Sequence, residues 1–156
     1  MPHDDRGERG RKDHKLMHYA RRYGIPYSYL HHAKSAGRLT DTEIERLAVT
    51  SHIYGVDFMH LVDLRKRLHI DAFELFRIAG FARRYRIPFF RFIDYMLKAN
   101  ATSEDIVHLI ETSITHNIPI YRLIRLKKKT GKSGLEIRTI MSKAMDHEKI
   151  FRKYGL

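Results

Sequence analysis

The sequence predicts an all-α fold: a right-handed stack of about four 31-residue helix pairs, followed by an extra C-terminal helix. Three observations predict it. A gapless period of 31 residues runs through the 156-residue chain. A polar capping pattern keeps the same register, and no stretch alternates apolar and polar residues for long enough to make a strand.

Apolar columns carry the period. Ile25, Val56, Ile87 and Ile118 lie 31 residues apart, as do Leu30, Leu61, Phe92 and Leu123. The same spacing joins Ile44, Leu75, Ile106 and Ile137, and then Leu47, Ile78, Leu109 and Ile140. Ala20, Ser51, Ala82, Ser113 and Ala144 form a column of small residues. Helix spacing alone can produce apolar columns, but it does not lock polar ones to the same period. Thr40, Asp71, Thr102 and Ser133 recur in that register, each followed three residues later by Glu43, Glu74, Asp105 or Glu136.

The elements follow in order. Residues 1–12, with Gly7 and Gly10, read as a flexible polar arm. Residues 13–156 read as one helical-repeat domain, with units at about 17–47, 48–78, 79–109 and 110–140 and a cap at 141–156. A half unit starts near Asp13. Thr40, Asp71, Thr102 and Ser133 are helix N-caps, and the acid three residues on completes a capping box. Leu39 with Ile44, and Ile70 with Leu75, add hydrophobic staples. A helix of about 14 residues follows each cap, with apolar residues at i, i+3, i+4 and i+7, as in Leu75, Ile78, Ala79 and Ala82. It stops at Gly24, Gly55, Arg86 or Asn117, where glycine and asparagine suit the left-handed turn and Arg86 is the exception.

A shorter helix comes next. Pro26, Pro88 and Pro119 fall in its first turn, where a missing N–H costs nothing, and Asp57 replaces proline as a cap in the second unit. Its buried face reads Phe58, Leu61 and Leu64, or Ile120, Leu123 and Leu126. The last helix is expected from about Gly134 to Tyr154.

Composition narrows the function. Thirty Lys and Arg against 18 Asp and Glu leave a formal charge of +12, which points to a polyanionic partner, nucleic acid before membrane. By the 31-residue frame the second unit is neutral, whereas residues 110–140 carry +5. The absence of cysteine excludes a disulfide scaffold, a cysteine zinc finger, an iron–sulfur site and a thiol nucleophile. No apolar run reaches the roughly 18 residues of a membrane span, and the acidic N-terminus suits neither a secretory signal nor a transit peptide. The expected location is cytoplasmic, or nucleoid or nuclear, rather than secreted.

The segment Ala20-Arg-Arg-Tyr-Gly24-Ile25-Pro-Tyr-Ser-Tyr-Leu30 resembles the core of a helix-turn-helix. Its small residue, glycine, aliphatic and later apolar residue return as Ser51, Gly55, Val56 and Leu61. Ala82, Arg86, Ile87 and Phe92, and Ser113, Asn117, Ile118 and Leu123, keep all but the glycine. The helix pairs are also loosely similar to transcription-activator-like effector repeats and mitochondrial transcription termination factor repeats, with Thr102-Ser-Glu-Asp-Ile106 placed like a repeat start. These resemblances imply stacked helix pairs on nucleic acid. Here the first helix of the pair is the long one and no glycine-rich base-reading loop follows, so no base-reading code carries over.

If the short helices act as recognition helices, their outward residues are the candidate contacts. One column is Tyr29, His60, Arg91 and Arg122; a second, with Ala36 at its head, is Arg67, Lys98 and Lys129. Lys34 lies near the end of the first short helix, and the fourth unit adds Arg125, Lys127, Lys128 and Lys132. Arginine can read guanine edges while lysine mostly holds phosphate. Asp63 and Asp94 share a column with His32 and Arg125, so equal docking of all units would turn two acids toward DNA. Arg83 and Arg84 close a long helix, where a solvated charge on the helix dipole explains them as readily as phosphate does. Tyr27, Tyr29, Phe89, Phe90, Tyr95 and Tyr121 are aromatics at helical spacing, of which Tyr27 and Phe89 fall in the buried column and Tyr29, Phe90 and Tyr121 face outward.

Catalysis and cofactors find little support. No His-Glu-x-x-His occurs among 11 histidines, and His31 and His32 are adjacent, so they diverge on a helix. Gly131-Lys132-Ser133 looks like the end of a phosphate-binding loop, but Leu126 stands where that loop needs glycine. The expectation is therefore a non-catalytic DNA-binding regulator or accessory factor without cofactor, on duplex DNA in preference to RNA. The alternatives are an RNA-binding helical repeat, or an adaptor or inhibitor that grips an acidic protein through Met59, Phe90 and Tyr121.

Overall fold

Each long helix begins on a short polar side chain, and all but the last stop on a left-handed residue. The computed structural model, which describes residues 13–156, shows both devices, and its described residues form ten α-helices and no strand. The polar arm expected at residues 1–12 lies outside the described residues. The chain divides between Ala79 and Gly80 into two compact units.

In the first unit α1 (His14–Tyr23), α2 (Tyr27–Ser35), α3 (Asp41–Tyr54) and α4 (Phe58–Arg67) pack so that α1 lies on α3 and α2 on α4. The helix α5 (Ala72–Arg84) starts in this unit and ends in the second. There, α6 (Phe89–Ala99), α7 (Ser103–His116), α8 (Ile120–Thr130), α9 (Gly134–Lys143) and α10 (His147–Lys153) follow. Again the alternate helices meet, α6 with α8 and α7 with α9. Within each unit, then, short helices sit beside short ones and long beside long.

The starts are those the sequence prescribes. The N–H groups of Glu43, Asp105 and Glu136 donate to Thr40 Oγ1, Thr102 Oγ1 and Ser133 Oγ at 3.2, 3.1 and 3.1 Å, and all three capping boxes close. Asp71 Oδ1 instead takes the N–H of Phe73 at 2.6 Å. Asp57 caps α4 by accepting from Met59 and His60. Pro26, Pro88 and Pro119 stand one position earlier than expected. Their ψ angles of 130–137° keep them extended, so they precede the helix rather than open its first turn.

The stops explain the column of small residues. Gly24, Gly55, Arg86 and Asn117 all take positive φ, between 53° and 68°. The next residue turns back, so that Ile25, Ile87 and Ile118 donate to the carbonyls of Ala20, Ala82 and Ser113 at 3.2, 2.9 and 3.0 Å. This is the Schellman closure, and it hands the chain to the short helix with an aliphatic residue tucked under the turn. Ile25, Val56 and Ile118 are buried there. Leu30, Leu61, Phe92 and Leu123 are fully excluded from solvent, as are Ile44, Leu75, Ile106 and Ile137. Each such side chain supplies roughly 1.5–3 kcal/mol on burial.

The C-terminus departs from expectation. The single helix over 134–154 is broken: α9 ends at Lys143, Ala144 is extended, and Asp146 starts α10 by accepting the N–H of Glu148. Phe151, on the helix after the break, is fully buried. At the other end of α9, Gly134 packs against the first turn of α7. Its N–H donates to Asp105 Oδ1 at 2.8 Å, and a Cβ there would stand 2.4 Å from the Asp105 carbonyl oxygen.

Two substitutions check this. Arg86→Gly relieves a left-handed arginine and should stabilise the protein by about 1 kcal/mol in urea unfolding. Gly134→Ala should destabilise it by about 1–3 kcal/mol, because the clash is with backbone that cannot swing away.

Candidate nucleic-acid interface

The second unit carries the charge. Residues 80–156 hold 16 Lys and Arg against seven Asp and Glu, a balance of +9, and residues 1–79 hold the other +3. Within that unit α8, Ile-Tyr-Arg-Leu-Ile-Arg-Leu-Lys-Lys-Lys-Thr, has no acid. Pro119 precedes it and Gly131 closes it in the left-handed region, φ 67°. Leu123, Ile124 and Leu126 face the core together with Lys127, which leaves Tyr121, Arg125, Lys128 and Lys129 facing water. Tyr121, Arg125 and Lys128 stand at i, i+4 and i+7 and therefore share one face; all three are exposed, as is Lys129. Lys132 follows just past the helix end, half-exposed. Lysines at 127–129 also sit well against the negative end of the helix dipole.

Neighbouring short helices differ in one column. In α4 Asp63 takes Arg67 at 3.2 Å, and in α6 Asp94 takes Lys98 at 2.9 Å, each across one helical turn. At the corresponding position α8 has Arg125, so Lys129, which matches Arg67 and Lys98 in register, has no acid behind it. Arg125, Lys128, Lys129 and Lys132 form no ion pair among the described residues. The acids that argued against equal docking thus each pair with one cation of their own helix, and α8 alone of the three carries no acid.

Other candidate residues are engaged elsewhere. Lys34 bridges Asp13, which caps α1, and Asp41 at 2.9 Å, and its two carboxylates hold its ammonium well above the usual lysine range. Arg122 makes a two-pronged pair with Glu148, at 2.6 and 3.0 Å, and lies 4.0 Å over the Phe151 ring. Lys127 is buried. Tyr29, His60, Arg83, Arg84 and Arg91 are exposed, the first two in the first unit; Arg84 leans over the Tyr85 ring at 5.4 Å. Met59 is half-buried on α4, and Phe90 is half-exposed on α6.

Around Tyr121 lies an open cleft of about 320 Å³, lined by Lys98, Tyr121, Ile124, Arg125 and Lys128. Tyr121 is 50% exposed, and its ring is set against buried Tyr95 edge to face, with centroids 5.9 Å apart. The Lys98 ammonium lies 5.8 Å from the Tyr121 centroid. The hydrogen bond from Lys98 to Asp94 raises the pKa of its ammonium above the ordinary lysine value. Sequence periodicity located the cations of this site and named Tyr95 among the aromatics, but not its contact with Tyr121 nor the part of Ile124, both of which come through packing.

Among the described residues no group of three or more potential metal ligands assembles, and no helix is long and apolar enough to cross a membrane. Set against known proteins, the chain matches no family, no curated protein and no solved structure.

Structural and free cations should separate in unfolding experiments. Arg125→Ala, Lys128→Ala and Lys132→Ala should each leave stability within about 0.5 kcal/mol of the parent, as is usual for exposed substitutions. Arg122→Ala should lower Tm, because it strips both Glu148 and Phe151 of their partner.

Proposed function

We propose that this chain is a non-catalytic DNA-binding protein, a regulator or accessory factor that holds duplex DNA through α8 and the loop after it. The observation that carries the reading is the acid-free face of α8, where Arg125, Lys128, Lys129 and then Lys132 run without an ion pair. A stripe of unpaired cations along one helix matches a line of phosphates, and release of condensed counterions supplies the affinity. Arg125, on the same face and higher on the helix, has the fork geometry to reach a guanine edge, while the lysines hold the backbone.

Recognition by a helix favours DNA over duplex RNA. The B-form major groove, about 12 Å wide, admits an α-helix, whereas the major groove of A-form RNA is too narrow. The first unit plays a smaller part in this reading, since Lys34 and Arg67 are spent on acids of the same unit.

Titration of labelled duplex at increasing salt tests the proposal. Three lysine–phosphate contacts predict a slope of log K against log salt of about −3. Replacing Lys128, Lys129 and Lys132 together by alanine should bring the slope close to zero, with binding weakened at every salt concentration. Absence of binding at low salt overturns the reading, and so does equal binding by the triple variant.

A further inference from the structure

A duplex leaves one part of the α8 face unexplained. Phosphates satisfy cations, but an intact duplex stacks its bases internally and offers no ring to a protruding aromatic. Tyr121 is half-exposed, yet it is not loosely placed. Buried Tyr95 meets it at 88°, and Ile124, 4% exposed, lines the same cleft. Arg125 and Lys128 stand one and two turns along the same face, and Lys98 approaches from α6. The cleft is therefore a fixed aromatic ring beside an apolar floor, ringed by three cations.

We propose that this cleft takes one unpaired nucleotide, with its base on the Tyr121 ring and its phosphate between Arg125 and Lys128. The inference rests on the DNA-binding reading and deepens it: the preferred ligand is duplex DNA with an unpaired end. The volume of about 320 Å³ lies at the small end of the roughly 300–1,000 Å³ typical of ligand sites, enough for a single small group. Stacking on tyrosine accepts any base, because every base has a π face, so the site recognises an unpaired state rather than a sequence. Lys98 sits toward Tyr121 with Asp94 behind it, which anchors that cation at the edge of the cleft. The adjacent Lys129 and Lys132 remain for the paired backbone. Fixed ring and free cations together form a site for the place where paired DNA gives way to unpaired DNA.

Fluorescence anisotropy on the full chain tests this with two probes, a blunt duplex and the same duplex extended by unpaired thymidines at one end. The extended probe should bind about tenfold more tightly, within the range expected for stacking one base. Tyr121→Ala should erase that difference and leave the blunt duplex unaffected, while Tyr121→Phe should keep it. Lys98→Ala, which removes the ammonium beside the Tyr121 ring, should reduce the affinity for the extended probe more than for the blunt one. Equal affinity of the parent for the two probes overturns the inference while leaving the duplex reading intact. A preference that survives Tyr121→Ala overturns it as well. Failure to bind either probe at low salt overturns the DNA-binding reading itself.

Discussion

The rest of the structure depends on where each long helix stops. A helix that ran one residue further would turn its next side chains by about 100°, and every buried column beyond would rotate away from its neighbour. The left-handed residue prevents this at Gly24, Gly55, Arg86 and Asn117. At three of the four its successor, Ile25, Ile87 or Ile118, then hydrogen-bonds back to a small residue, so the turn closes on the same few positions. That Arg86 adopts the same φ as the glycines shows that packing imposes the turn even where the residue does not favour it. The surrounding buried side chains, each contributing on the order of 2 kcal/mol, outweigh the local strain of about 1 kcal/mol.

A second constraint separates charge by role. Cations near acids in register become part of the scaffold: Lys34 ties α2 to the starts of α1 and α3, and Arg122 ties α8 to α10. Cations without acids in register stay outside the scaffold, and Arg125, Lys128, Lys129 and Lys132 form one run of them on α8 and the loop behind it. Net charge is thus a weak guide to a binding surface until paired charges have been subtracted. After that subtraction most of the excess resides in the second unit, where α8 carries no acid.

Much of this was legible in the sequence. Thr40, Thr102 and Ser133 announce helix starts because capping is a local matter of three residues, and Leu30, Leu61, Phe92 and Leu123 announce the core because burial repeats with the fold. The i,i+4 spacing of Asp94 and Lys98 was equally open to view. What escaped depends on contacts between elements. Lys34 meets an acid 21 residues earlier, Arg122 one 26 residues later, and Tyr95 supports Tyr121 from another helix. Periodicity says nothing of such partners. The break near Ala144 escaped for a different reason: the repeat frame was carried through it, although Asp146 before His147-Glu148 has the form of a helix start.

That break has a bearing on how the array can be enlarged. The long helix of the last pair has 10 residues where α7 has 14, and the helix after it starts four residues early. A pair shortened by a full turn presents its successor with a seat in the wrong phase. Grafting another copy after Tyr154 would leave the new helices with no matching row to stack on. Duplicating the stretch 102–132, inside the second unit, keeps each start, stop and buried column in step. The second unit therefore keeps its register through α8 and loses it after α9, so an added copy fits inside it better than behind α10.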